Sequence, residues 1–338
     1  MSDGAPYIRC VGNKNLHAAK KAKNDEFYTQ MEYIIAEMDA YLERDPNLFA
    51  GKTVLLPCDD PEKSNFTKYF VSNFDDLGLE KLVSTCHKAD ARGEILTLGK
   101  SGTPELSYLA GDGDFRSREV TDLRDSSDMV ITNPPFSLLR EFIAWLMGGE
   151  VLFSIIGNMN AITYKEIFPL IKENRLWKGA TGNNKDMVFQ LPTGSEVKPE
   201  YERKAAKLGY PSGNGKQFIR VANSCWLTNI EHEKRHRPLQ LRTMAENLAQ
   251  SLHKKIRDQG YPRYDNLDGI EVPFTDAIPS DYPGLMGVPI SFLDKHDPDQ
   301  FQIVGFRKGA DGKDLTYTHD GEKICPYFRI IIRAKQRP

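Results

Sequence analysis

"TVLLPCDDPEKSNFTKYF", residues 53–70, joins a short apolar run to a turn rich in Asp and Pro, followed by a segment with helical apolar spacing. The run "TVLLP" is too short for a core helix and reads as a buried strand. Ser64 is well suited to open the helix expected over 64–74, because its hydroxyl can accept from an otherwise orphaned N–H. One strand feeding one helix is the repeating unit of an α/β sheet, so the flanking sequence is expected to repeat it.

It does so in both directions. Downstream, "KLVSTC" (81–86) reads as a second strand, and the Gly-rich stretch 87–104 as an insertion. "LSYLA" (106–110) reads as a third strand ending in "GDGDFR", and a short polar helix then leads to a fourth, "MVIT" (129–132). "LLREFIAWLM" (138–147) has helical spacing, "VLFSII" (151–156) is a fifth strand, and "TYKEIFPLIKEN" (163–174) is a helix that Pro169 should kink or split. Upstream, Asn24 could cap a helix beginning near Asp25. Strands alternating with helices predict a mostly parallel sheet, whose ligands bind at the carboxyl ends of the strands. "PCDDP", "GDGDF" and "NPPF" each follow a strand end and should share that rim. Beyond 176 the pattern changes to two expected β-hairpins, "WKGATGNNKDMVFQLP" and "FIRVANSCWLTNI", joined by a long loop. Residues 231–338 read as a separate, proline-rich module.

Composition narrows the class. The 338 residues are 40% hydrophobic and 27% charged, ordinary values for a globular protein, and no apolar stretch nears the ~20 residues of a membrane span. A cytoplasmic protein is expected. Five scattered cysteines without a C-x-x-C pair argue against a disulfide framework and a zinc site, so they should be reduced and largely buried. Residues 1–178 carry 21 Lys and Arg against 27 Asp and Glu, whereas 179–338 carry 24 against 20. The basic second half suits a polyanion or an ordinary solvated surface equally well.

"ITNPPF" (131–136) carries the most chemistry. Proline lacks an N–H, so Pro134 and Pro135 should form a stiff turn whose carbonyls stay outside any ladder. Asn133 adds a side-chain acceptor and Phe136 an aromatic face. A planar ring stacked on Phe136 could have an exocyclic amino group held by two acceptors, which draws that nitrogen toward a tetrahedral, nucleophilic form. Competing chemistries lack their residues. There is no Pro-Cys-Gln for attack on a pyrimidine carbon and no H-x-E with P-C-x-x-C for zinc deamination, and "GYPSGNGKQ" has the wrong spacing for a phosphate loop.

Asn-Pro-Pro-Phe after the fourth strand resembles the catalytic motif of amino-group DNA methyltransferases. "KNDEFYTQ", "CDDPEKSNFTKYF", "GDGDFRS", "ITNPPFSL", "NAITYKEIFPLIKENRLW", "CWLTN", "MGVPISFL" and "FRKG" together resemble the EcoRI-type adenine-specific modification methylases, in the gamma order of motifs and over nearly the whole chain after about residue 17.

The resemblance implies an α/β, Rossmann-like S-adenosylmethionine-dependent methyltransferase domain with a mostly parallel sheet and a C-terminal target-recognition region. Its boundaries would be a basic arm at 1–23, the methyltransferase domain at 24–230 and DNA target recognition at 231–338. Asn133 and the Pro134 carbonyl would accept the target amino hydrogens, with Pro135 stiffening the turn and Phe136 stacking on the flipped base. Phe27, Tyr28 and Thr29, then Cys58, Asp59, Asp60 and Pro61, would line the methionine end of S-adenosylmethionine. Asp114 and Phe115, with Asp112 as a second candidate, would meet its adenine. No metal is implied.

Two features depart from the commoner methyltransferase pattern. The first loop lacks G-x-G, a trait the EcoRI type shares, and no acidic residue ends the second strand unless Asp90 reaches back. Lys20, Lys21, Lys234, Arg235, Arg237, Arg242, Lys254 and Lys255 are candidate contacts to double-stranded DNA. The implied protein is a site-specific DNA adenine N6-methyltransferase acting as a monomer, either the modification enzyme of a restriction-modification system or a phage or orphan methylase. A protein glutamine N-methyltransferase and a catalytically silent DNA-binding homologue are the alternatives. The recognition sequence stays open, as does the question of a separately encoded restriction endonuclease.

Overall fold

The computed structural model describes residues 27–335 except 101, 182–185, 193 and 196. The expected cap at Asn24 and the candidate DNA contacts Lys20 and Lys21 lie outside the described residues.

β1 (Tyr28–Thr29) precedes helix α1 (Met31–Arg44), and β2 (Thr53–Leu56) feeds α2 (Asn65–Ser72). Ser64 caps α2 as expected, accepting from Phe66 N at 3.0 Å. β3 (Lys81–Cys86), β4 (Glu94–Gly99) and β5 (Glu105–Tyr108) follow, then α3 (Arg118–Asp125), β6 (Met129–Thr132), α4 (Leu139–Met147) and β7 (Leu152–Asn158). The helix expected over 163–174 is split. A 3-10 turn at Met159–Thr163 is followed by α5 (Phe168–Lys172), with Pro169 in its first turn, where a missing N–H costs nothing.

β8 (Trp177–Lys178), β9 (Met187–Leu191), α6 (Pro199–Ala206), β10 (Gln217–Val221) and β11 (Ser224–Thr228) complete the first two-thirds of the chain. The eight-stranded sheet has the order β5-β4-β3-β2-β6-β7-β11-β8. Its centre, β3-β2-β6-β7, is parallel. The chain moves outward from β2 to β3, then returns to β6 on the other side of β2. The carboxyl ends of β2 and β6 therefore flank a topological switch point, where such sheets open a crevice.

Alternation of side chains loads both faces. Val54, Leu56, Met129 and Ile131 pack with Ile34, Met38, Phe66, Phe70 and Trp226 on one face. Leu55, Val130, Phe153 and Ile155 pack with Phe142 and Ile143 on the other. Continuous apolar runs such as "TVLL" are what a strand buried on both sides requires.

Three expectations are corrected. The stretch 87–104 contains β4, paired antiparallel with β3, so it extends the sheet. Residues 106–110 do not continue the parallel set, since β5 pairs antiparallel with β4 at an exposed edge. The two expected hairpins also do not close on themselves. β8 pairs with β11 in the large sheet, while β9 pairs with β1 and β10 in a separate antiparallel sheet.

The C-terminal part comprises α7 (Met244–Gln250), α8 (Lys254–Gln259), β12 (Gly269–Glu271), β13 (Leu285–Pro289), β14 (Phe301–Phe306), β15 (Tyr317–His319), β16 (Glu322–Ile324) and β17 (Arg329–Ala334). Its main sheet has the order β12-β13-β17-β14. Ile270, Met286, Ile330 and Ile332 belong to the same apolar cluster as Leu55 and Phe153. A buried ion pair between Lys178 and Asp294 also joins β8 to this part. Of the four described cysteines, Cys86 and Cys225 are buried, Cys58 is half-buried and Cys325 is exposed.

Glu37 on α1, wholly buried, sets where the chain leaves β8. It accepts from Ala180 N at 2.8 Å, from Thr181 N at 2.7 Å and from the Thr181 hydroxyl. Only a glycine fits at 179, because a Cβ there would lie 2.1 Å from Glu37 Oε1. Glu37→Ala should lower unfolding free energy by about 2–4 kcal/mol, since two backbone donors lose their acceptor. Urea unfolding checks this, and Glu37→Gln should recover part of the loss.

Candidate active site at the switch point

An open cleft of about 140 Å³ lies at the carboxyl ends of β2 and β6. Nine of the expected site residues line it: Phe27, Tyr28, Cys58, Asp59, Asp60, Asp114, Phe115, Asn133 and Pro135. Its remaining lining, Pro57, Cys86, His87, Lys88, Gly113 and Leu138, was not foreseen. The backbone closes tightly beneath it: Gly113 has φ +84°, and a Cβ there would lie 2.4 Å from the Cys86 carbonyl oxygen.

Asn133 stands at the end of β6. Its Nδ2 donates to the Phe27 carbonyl at 2.6 Å. A carbonyl can only accept, so this bond turns Oδ1 the other way, and Oδ1 is buried with no hydrogen-bond partner among the described residues. An unsatisfied buried acceptor costs on the order of 1–3 kcal/mol, which a donor arriving from outside would recover. No hydrogen bond among the described residues reaches the Pro134 carbonyl either. The Pro135 carbonyl, expected to be free, accepts from Leu138 N at 3.0 Å and closes the 3-10 turn Phe136–Leu138.

Phe136 is half-buried. Its ring meets Phe27 at a centroid distance of 5.6 Å and Phe189 at 6.0 Å, while Phe27 and Phe189 are 5.9 Å apart. Phe189, from β9, completes a three-ring wall that sequence reading missed, because its position depends on pairing between distant segments. β1 is held in place for this wall by β9 on one side and by Asn65 on α2, whose Nδ2 donates to the Thr29 carbonyl at 2.8 Å.

The two aspartates after β2 differ. Asp59 is buried, with Oδ1 accepting from Ser64 Oγ at 2.6 Å and Oδ2 from Thr132 Oγ1 at 2.5 Å. Burial pushes its pKa up to about 7, although both hydroxyls favour the ionised form. Asp60 faces the cleft. Burial works against its charge, but the Glu62 and Lys63 amides, both at 3.0 Å, and the ammonium groups of Lys63 and Lys88 outweigh burial and hold its pKa below the usual carboxylate value.

An acidic group does stand at the end of β3, on the neighbouring strand. Glu94 pairs in register with Cys86, and Lys88 Nζ lies 3.4 Å from Glu94 and 3.8 Å from Asp60. Asp90 is exposed and outside the cleft lining. Asp60, Cys86 and Glu94 converge within 4.8 Å, but the Lys88 ammonium already supplies the positive charge between the two carboxylates.

Other expected residues are placed differently. Thr29 and Pro61 are buried away from the cleft surface, and Asp112 is exposed beside it, accepting from Asp114 N at 3.0 Å. Phe115 reaches the cleft only as part of its floor, because its ring is buried against Phe142 at 4.9 Å and Trp145 at 5.7 Å. Asp114 is gripped by Arg116, whose hydrogen bonds at 2.9 and 2.6 Å hold its carboxyl below the ordinary value.

The candidate DNA contacts are largely committed internally. Arg235 is buried, stacked 3.7 Å over Trp177 and bonded to Asn174 and Glu231, so it serves packing and is not a surface contact. Lys234 donates to the Ala180 carbonyl, Arg242 to the Gln250 carbonyl and Lys255 to Tyr317 Oη, while Lys254 pairs loosely with Asp258 at 3.9 Å. Arg237 is exposed.

A parallel-centred sheet whose switch point carries paired acceptors beside an aromatic wall defines a methyltransferase acting on an amino nitrogen. The chain belongs to the family described as adenine-specific methyltransferase EcoRI, which it matches over residues 15–106 and 94–335. It is 43% identical to the type II methyltransferase M.EcoRI of Escherichia coli, over 97% of this chain and 98% of that one. It is 38% identical to the type II methyltransferase M.MpnI of Mycoplasma pneumoniae, over 85% and 83%, and 34% identical to M.MgeORF184P of Mycoplasma genitalium, over 86% and 85%. No solved structure matches the chain. Among the described residues, no helix is long and apolar enough to cross a membrane.

Asp59 gives the site a pH signature. Between the unfolded value near 3.8 and the folded value of about 7, the folded state holds a proton that the unfolded state has lost. Stability contributed by Asp59 is therefore complete below about pH 4, declines as pH rises, and is gone above about pH 7. Asp59→Asn should flatten this slope, and urea unfolding of both proteins at about pH 5, 6, 7 and 8 measures the difference.

Proposed function

We propose that this chain is a site-specific DNA adenine N6-methyltransferase that flips its target adenine into the cleft mouth and methylates it from S-adenosylmethionine. The observation that carries the reading is Asn133 Oδ1, buried and without a hydrogen-bond partner among the described residues, its orientation fixed by the bond from Nδ2 to the Phe27 carbonyl. Two acceptors on adjacent residues suit an exocyclic NH₂, which has two hydrogens to give.

The cleft fits the cofactor by its chemistry: its rim offers a charged Asp60 for a cationic amino-acid end and Lys88 for an anionic one. When bound, S-adenosylmethionine supplies an electrophilic methyl group. The protein's part is positioning. Asn133 and Pro134 hold both amino hydrogens and free the nitrogen lone pair; Phe136, braced by Phe27 and Phe189, stacks on the base; the proton lost by the amine passes to water. Flipping costs a few kcal/mol, which stacking and the two hydrogen bonds offset.

On the same reading, residues 24–230 form the catalytic domain and 231–338 the target-recognition domain. The chain works as a monomer on double-stranded DNA in the cytoplasm of a bacterial or phage-infected cell, as the modification enzyme of a restriction system or as a phage or orphan methylase. The family match favours adenine over the side-chain amide of a protein glutamine.

Asn133→Ala should reduce methyl transfer by at least about 10²-fold, by analogy with loss of one preorganised hydrogen-bonding group. Cofactor affinity, read by calorimetry, should stay within a few-fold. Expression in a methylation-free host followed by sequencing for N6-methyladenine tests the reading itself. Folded, cofactor-binding protein that leaves every DNA sequence unmodified would overturn it.

A further inference from the structure

The connection between β9 and β10 leaves and re-enters the aromatic wall of the site. In the β1–β9 register Tyr28 faces Gln190, so Leu191, where the connection begins, is level with Phe27, the residue that holds Asn133. Gln217, where it ends, pairs with Leu191. Neighbouring strands lie about 4.8 Å apart, so both ends of the connection are anchored within a strand spacing or two of the catalytic turn.

What the connection displays is mainly positive charge. Lys198, Arg203, Lys204, Lys207 and Lys216 are all exposed, against Glu200 and Glu202 on α6 and Glu196 in the sequence before it. Their internal ties are weak: Arg203 donates to the Pro199 carbonyl at 3.4 Å, and Lys204 lies 5.6 Å from the Tyr201 ring. The hairpin's described ion pair, Arg220 with Asp186, lies on the strands and takes up none of the five. The candidates of the C-terminal part are mostly spent on internal partners, with Arg235 buried outright. The connection is also held in place, with α6 packed against β10 and Ala205 wholly buried. Its tip turns through Asn214 and Gly215, both at positive φ, with Gly213 bridging to Lys216. Tyr210 packs on Phe218 at 5.7 Å, tying the tip to β10.

We propose that residues 197–216 form an arm that contacts backbone phosphates of the duplex beside the flipped adenine. This rests on the reading of the chain as a DNA methyltransferase. Exposed cations along α6 and at the turn that follows it suit phosphate contact, which fixes register while sequence is read elsewhere. Placed level with Phe27, the arm would hold the strand from which the base is extruded.

The test is the salt dependence of duplex binding by the full chain. Replacing Lys204, Lys207 and Lys216 together by Ala should lower the slope of log affinity against log salt by about 2–3, near 0.9 for each phosphate that the arm no longer neutralises. The drop should be equal on a duplex carrying the methylated site and on one of random sequence. The matching Lys→Arg triple variant should keep the original slope. Thermal melting and cofactor affinity, both expected to be unchanged, show that the Ala variant is folded. A folded Ala variant with the wild-type slope, or one weakened only on the methylated site, overturns the arm. A wild-type chain that methylates no DNA overturns the enzyme reading instead, so the two failures are distinguishable.

Discussion

The hydrogen bond from Asn133 Nδ2 to the Phe27 carbonyl decides what this site can do. A carboxamide has one donating and one accepting end, and only the accepting end can hold an amino group. Because the partner is a carbonyl, the amide has no choice of orientation. Supplying that carbonyl requires the small β1-β9-β10 sheet to meet the large sheet at the tip of β6, with β1 clamped between β9 and Asn65. Much of the architecture outside the parallel centre can be understood as the means of bringing one backbone oxygen to one side chain.

A second set of bonds joins the two halves of the cleft. Asp59, in the loop after β2, accepts from Ser64, which caps α2, and from Thr132, which precedes Asn133. The loop after β2 and the strand that leads to Asn133 therefore share a buried carboxyl, and a shift in either is felt by the other. Asp60, one residue on, turns outward and stays ionised. Adjacent aspartates thus take opposite roles because one carboxyl is enclosed by hydroxyls and apolar side chains, and the other by amides and ammonium groups.

What was legible in the sequence was local. β2, α2 and β6 are set by apolar runs closed by Pro and opened by a Ser cap, and each was readable within its own short stretch. β4 was hidden because Gly93 and Gly99 look like breakers, whereas "EILTLG" lies along β3 and Gly93 lets the backbones approach. The hairpins were misassigned because each pair of neighbouring strands parts into different sheets, a choice made by distant partners. Arg235 read as a surface charge, since nothing in "EKRHR" signals that Trp177, far earlier in the chain, would cover it. Phe189 and Lys88 were missed for the same reason: each owes its place to a contact from another element.

The positions of the three-ring wall and the basic connection follow from one topological fact. Because β9 turns away from the large sheet instead of pairing with β8, its apolar end closes the wall at Phe136 while its polar continuation is released at the level of Phe27. Had "WKGATGNNKDMVFQLP" folded as a simple hairpin, Phe189 would have joined the edge of the large sheet, and Phe27 would have had no strand to lie against. Its carbonyl would then not be presented to Asn133, and the amide would have no fixed accepting face. The local departure from the expected hairpin is therefore what fixes the accepting face of Asn133, and the same departure brings the exposed cations of the connection to that side of the sheet.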